Sequence, residues 1–304
     1  MENRRGVALV LGTALISGVS IFLNKYAVSG FDASVFTFLK NLAVALLLLA
    51  LMLAAKDYKP VARLTRRQWL KLMLIGLIGG SLPFLLFFNG LALTTASTAG
   101  FIHKTMFVWI ALFSFVFVKE KLNKTMLAAA ALLLAGNFLL LQMTGITLSL
   151  GAFLIFLATL LWAVEILLSK SLLNVKNVSG RIVAAGRMGF GALFLLAYVS
   201  ISGKASPVFS YTPGQWLWIA LTSFLLLGYV LTFYTGLKTV SPVTASIILL
   251  LGSPVTTLLN AAFSGSAITL QQLFGIALLT VAVALAILSP AYIISVLRKN
   301  PLRT

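Results

Sequence analysis

Ten long apolar runs follow one another with little between them: residues 7–27, 34–55, 69–91, 97–118, 125–142, 150–169, 182–202, 215–237, 241–263 and 270–292. A helix of about 20 residues crosses the roughly 30 Å hydrocarbon core of a bilayer. Inside a bilayer every backbone polar group must be satisfied within the chain, which restricts such runs to helices. A soluble chain also needs about a quarter of its residues charged. Here only 9% are charged and 61% are apolar, with a mean hydropathy of +1.08. The expectation is an all-α integral membrane protein of ten transmembrane helices. The run after MENRRG continues for about 20 residues with no short apolar region and cleavage site, so it is expected to be a retained span, not a signal peptide.

The charges orient these helices. A net charge of +18 in a soluble chain would point to nucleic acid, but here the cations crowd the ends of apolar runs. Arg4, Arg5, the group from Lys56 to Lys71, Lys119 to Lys124, Lys170 to Arg181, Lys238 and Arg298 to Arg303 together hold 18 of the 23 cations. With ten spans they all fall on one side, so the positive-inside rule puts both termini in the cytoplasm of a cell whose cytoplasmic membrane holds the protein. No nucleic-acid partner is expected. The absence of cysteine excludes disulfides and thiol chemistry.

A shift of about 146 residues brings the halves into register. GLALTTASTAGFI (90–102) lies over GLKTVSPVTASII (236–248), and RRQWL (66–70) lies near TPGQWLW (212–218). The units divide as 1–145 and 146–304. Five spans per unit is an odd number, so the second copy enters the membrane upside down: two inverted five-helix repeats, with a binding site expected near their interface. Several segments then resemble the EamA-like ten-helix members of the drug/metabolite transporter superfamily. They are NKYAV (24–28), Lys40-Asn41, LTRRQWLKL (64–72), VKEKL (118–122) and GSPV (252–255). Two positions depart from repeat symmetry, Val108 opposite Pro254 and Ser266 opposite Glu120. The resemblance implies the fold and small-molecule transport; export is its implied direction, and the substrate class does not follow from it.

Away from the span ends, the charged residues and histidine inside spans are Lys40, His103, Lys104, Glu165 and Arg187. Each costs about 2.5–3.5 kcal/mol at the centre of an isolated helix, so each is expected to face protein or a wet cavity. At roughly 1.5 Å per residue, Glu165 and Arg187 reach matching depths on consecutive helices, which suggests an ion pair serving as a structural pin or a gate. Lys104 has no carboxylate at its depth apart from a reach toward Asp32. It is the leading candidate for a substrate- or proton-coupling role, with hydrogen bonding to backbone or snorkelling to the interface as the alternative and His103 beside it as ligand or packing residue. Lys40 and Asn89 add polarity to the same half, and Lys40 has the alternative of snorkelling to the interface. Trp109, Trp162, Tyr229 and Tyr234 are candidate aromatic walls, and Gly252 and Pro254 mark a kink in the ninth span.

These features favour a secondary transporter that works by alternating access on a small metabolite. Unpaired cations against one buried acid favour an anionic group, as in an amino acid or an organic anion. A multidrug or cationic-compound/proton antiporter and a channel are the alternatives. An enzyme is not expected, because one histidine, one buried acid and no cysteine make no catalytic constellation. Nothing resembles a phosphate-binding loop, and neither cofactor nor metal is expected. The expected partners are the substrate, the lipid bilayer and a candidate coupling proton, in a monomer or homodimer.

Overall fold

The computed structural model describes residues 4–27, 30–56, 58–118, 124–145, 148–204 and 210–287. Among these, nine helical stretches are long and apolar enough to cross a membrane, and the shorter Lys124–Leu140 stands where the fifth span was expected. In chain order the helices are α1 Arg4–Ala27, α2 Ala33–Ala54, α3 Tyr58–Val61, α4 Arg66–Gly80, α5 Leu82–Leu91, α6 Ala96–Lys104, α7 Met106–Phe113 and α8 Lys124–Leu140. The second half holds α9 Leu150–Leu173, α10 Gly180–Ile201, α11 Pro213–Leu237, α12 Pro242–Leu249, α13 Gly252–Ser264 and α14 Leu270–Ile287. The expected spans 3, 4 and 9 are therefore each two helices end to end. The tenth is described to Ile287, and the rest of its expected range lies outside the described residues.

Local chemistry sets where the helices begin. Thr65 and Thr212 each accept a hydrogen bond from the backbone of a glutamine three residues on, Gln68 and Gln215, whose side chains reach back to the cap N–H. The repeated QWL is thus the inside of a capping box that starts α4 and α11. Thr95 and Ser241, 146 residues apart, cap α6 and α12 by accepting from the Thr98 and Thr244 amides. Asp32 caps α2 and pairs with Lys204 at 2.9 Å. Partial burial opposes the charged form of Asp32. Hydrogen bonds from Ser34, Lys204 and the backbone of Ser34 and Val35 nevertheless hold its carboxyl below the usual range. Both partners are substantially exposed, so this tie between the halves is worth about 0–1 kcal/mol.

The closest helix packing runs between the halves, in pairs that the repeat interchanges: α1 with α11 and α5 with α9, α4 with α10 and α2 with α11. α8 packs on α14 at a seam of small residues, where a Cβ on Gly136 or Gly275 would lie 3.1 Å from the Gly275 carbonyl or 2.6 Å from the Leu140 amide. Lipid offers no hydrophobic drive between helices, so such close backbone approach supplies the dispersion that holds this pair. The small residues recur at repeat-equivalent places, Ala129 with Gly275 and Gly136 with Ala282. The odd number of spans per repeat makes the two units inverted.

Candidate functional site

Three interruptions in the helical ladder place the polar groups. In GGSLPF the ring nitrogen of Pro83 carries no hydrogen, so the carbonyl of Gly79 has no helical donor. The chain turns at Ser81, whose hydroxyl donates back to the Leu77 carbonyl at 2.9 Å. Two freed carbonyls are taken by side chains from other helices. Asn41 Nδ2 donates to Gly80 O at 2.7 Å, while Trp162 Nε1 at 3.1 Å and Arg187 Nη2 at 2.9 Å share Gly79 O. α11, the counterpart of α4 and α5, has Tyr229-Val230 in place of the proline and runs unbroken.

The other two interruptions are related by the repeat. α6 ends at Lys104, and the Thr105 amide is shared between the Phe101 and Ile102 carbonyls at 3.1 Å each. α12 ends at Leu249, and the amides of Leu250 and Leu251 turn to Ile247 and Ile248, also at 3.1 Å. Leu251 lies 146 residues after Thr105. The causes differ. Pro254 cannot donate to Leu250 O, which takes the Ser253 amide at 3.0 Å instead. In the first half, where Val108 replaces proline, the Thr105 hydroxyl bonds Ile102 O at 2.7 Å and accepts Trp109 Nε1 at 3.2 Å. A tight turn inside a helix commonly marks a hinge. The second-half interruption lies immediately before Gly252 and Pro254, and α13 seats on α1, where Thr256 donates to Gly18 O at 2.9 Å.

Glu165 and Arg187 are buried, 2% and 8% exposed, on adjoining helices. They do not form the direct ion pair expected from their depth. Gly79 stands between them: a Cβ there would lie 3.0 Å from both the Glu165 carboxyl carbon and Arg187 Nε. The guanidinium goes to the carbonyl that Pro83 leaves open. The carboxylate accepts hydrogen bonds at Oε1 from Ser169 at 2.6 Å and Tyr234 at 2.7 Å. Arg187 Nε is buried without a partner. Tyr229 stacks on Phe233 one turn away, with ring centres 5.8 Å apart.

Trp162 also meets His103, the residue before Lys104. The His103 ring meets the Trp162 ring edge-on at 4.9 Å and Phe87 at 5.5 Å, and Phe84 meets Trp162 at 5.2 Å. His103 Nδ1 is buried and unbonded. Lys104 is half-buried and takes part in no hydrogen bond or ion pair among the described residues. An ammonium inside a membrane span with no protein partner is a group left open to a ligand.

The remaining candidates lie elsewhere. Lys40 donates to Asn24 Oδ1 at 3.0 Å and rests over the Phe36 ring, so its partner is protein and not the bilayer surface. Asn89 is exposed, donates to its own helix at Leu85 O and lines a separate cavity of about 150 Å³ with Asp32 and Lys204. Trp109 packs on Phe156, not on Trp162. The sequence reading missed Gly79, Pro83, Phe84 and Phe87. A proline after GGS inside an apolar run was the available signal for the first two.

Similarity to other proteins agrees with this architecture. Residues 4–142 and 149–288 each match the EamA-like transporter family. An "uncharacterized transporter" of Archaeoglobus fulgidus is 28% identical over 214 residues, 68% of this chain and 71% of that protein. An "uncharacterized transporter in cobO 3'region" of a Sinorhizobium species is 26% identical over 128 residues, 42% of this chain and 90% of that protein. A solved crystal structure shares the fold across 96% of this chain and 99% of its own, with a TM-score of 0.75 at 20% identity. Two family matches, one on each five-helix repeat, establish that this chain is a multi-pass membrane protein and a member of the EamA-like transporter family.

Proposed function

We propose that the protein is a secondary transporter that moves a small anionic metabolite, such as an amino acid or organic anion, by alternating access. The supporting observation is that Lys104, without a hydrogen-bond or ion-pair partner among the described residues, sits at one of two mid-span turns that the inverted repeat makes equivalent. The cargo's anionic group meets Lys104, and its body lies against His103, Trp162, Phe84 and Phe87. The turns at Thr105 and Leu250–Leu251 act as paired hinges, so that bending one half against the other exposes the site to each side in turn. The protein resides in the cytoplasmic membrane with both termini inside, and its physiological direction is export.

A cationic cargo fits less well. Glu165, the one carboxylate in the described spans, already holds Ser169 and Tyr234 and has Arg187 beside it. The test is counterflow: purified protein in liposomes, loaded with a metabolite pool, exchanges labelled anionic members of that pool saturably. Flux without counterflow identifies a channel, and exchange of cations alone overturns the anionic reading.

A further inference from the structure

The hydrogen-bonded corner at Glu165 has a counterpart in the first repeat that the reading above does not use. GVSIFLNK (18–25) lies over AVEILLSK (163–170), with Val19, Ile21, Leu23 and Lys25 identical to Val164, Ile166, Leu168 and Lys170. The caps of the next helices, Asp32 and Ser179, place Lys40 and Arg187 each eight residues further on. The repeat therefore sets Ser20, Asn24 and Lys40 against Glu165, Ser169 and Arg187. The hydrogen bonds agree. Ser169 donates one turn back to Glu165 Oε1 at 2.6 Å, and Asn24 Nδ2 donates one turn back to Ser20 Oγ at 3.1 Å. What the first repeat lacks is the carboxylate.

The result is a corner with donors to spare and no acid. Lys40 Nζ uses one of its three N–H groups on Asn24 Oδ1 at 3.0 Å and otherwise rests over the Phe36 ring. The Ser20 hydroxyl accepts from Asn24 and donates to no group among the described residues. The two carboxylates among the described residues are engaged elsewhere, Asp32 with Ser34 and Lys204, Glu165 with Ser169 and Tyr234. Phe36, Thr37 and Val44, one turn from Lys40 on the same face, are all buried, so the ammonium points into the bundle and not into lipid. The corner is also reachable. At the other end of the bundle α7 packs on α12, but their repeat counterparts α13 and α6 show no comparable packing. α13 belongs to the end that holds Lys40, since Asn260 accepts from Lys25 at 3.5 Å. That end is the open one, and Ser20, Asn24 and Lys40 are each only partly buried in it.

We propose that Ser20, Asn24 and Lys40 form a binding site for the carboxylate of a small organic anion, which takes the place that the Glu165 carboxylate holds in the other repeat. Lys40 supplies the charge and the Ser20 hydroxyl a second donor, while the Asn24 amide turns from Ser20 to the ligand. A cation inside a membrane span needs such a partner. The repeat argues for a carboxylate and not a phosphate, because one carboxylate is what the counterpart corner sets beside one cation. The site goes beyond the cargo reading and does not depend on Lys104.

The test uses the full protein in lipid nanodiscs with Lys104→Met in place, so that the other open cation is removed. Sodium acetate, compared with sodium chloride at equal ionic strength, should raise the melting temperature by about 2–4 °C at a few times its dissociation constant. Adding Lys40→Met abolishes the rise. No rise, or one that survives Lys40→Met, overturns the site, and an equal rise with chloride or phosphate overturns the carboxylate. Ser20→Glu supplies the missing carboxylate from the chain itself and covers the case in which Lys40→Met folds poorly. It should raise the melting temperature without acetate and remove the response to acetate; a lowered melting temperature with the response intact overturns the site. An acetate response present in the parent but lost with Lys104→Met assigns the anion to Lys104 and sinks this site alone. A response kept in Lys104→Met, with anion exchange undiminished, sinks the Lys104 reading alone.

Discussion

At the scale of single residues, two positions carry most of the site's geometry. Gly79 has room for hydrogen only, since a Cβ would stand 2.4 Å from Glu165 Cγ. Gly79→Ala is expected to lower stability by about 1–3 kcal/mol through overpacking, read as a lower melting temperature in detergent. Gly189→Ala is the control, because nothing lies within 4 Å of a Cβ there, and it should match or slightly exceed the parent. Equal melting temperatures for the two variants would contradict the packing at Gly79. Lys104→Met retains much of the stem and removes a charge that no group among the described residues pairs with, so expression and folding should be unchanged or improved. Exchange of the anionic cargo should fall at least tenfold, while Lys104→Arg keeps part of it, because charge persists and hydrogen-bond geometry changes. Undiminished exchange in Lys104→Met would remove Lys104 from the site.

At the scale of the helix, Pro83 governs the third span. Pro83→Ala restores an amide that competes with Trp162 and Arg187 for the Gly79 carbonyl and straightens the α4–α5 junction. The expected result is a changed Trp162 emission, isolated by comparison with a Trp162→Phe background, and a severalfold slower exchange at normal expression. Unaltered emission and rate would mean that the break is indifferent to Pro83. These turns also mark the limit of what could be read locally. Pro254 announced the interruption in the ninth span. The matching one at Thr105 has no proline, because a threonine hydroxyl takes over the hydrogen bonding.

At the scale of the whole molecule, the prediction is topology. Single cysteines introduced into this cysteine-free chain at Thr95 or Ser264 should react with an impermeant reagent from outside intact cells. Those at Arg66 or Lys176 should react only after the membrane is opened. The reverse pattern would invert the bundle and assign the basic ends to the outside, against the positive-inside rule.

Helix number, membrane class and the twofold repeat were legible in the sequence, because they follow from apolar run length, odd span count and capping residues, all of which act over a few neighbouring positions. His103, Lys104, Glu165 and Arg187 could be singled out for the same reason: a charge in an apolar run needs an explanation wherever the helix sits. Which charge meets which group was decided only by tertiary structure. Matched depth suggested that Glu165 and Arg187 touch, but depth is one coordinate, and helix rotation with the backbone of a third helix supplies the others. Gly79 occupies the space between them and offers a carbonyl left open by Pro83, so Arg187 binds backbone and Glu165 binds Ser169 and Tyr234, while Lys104 has no partner among the described residues.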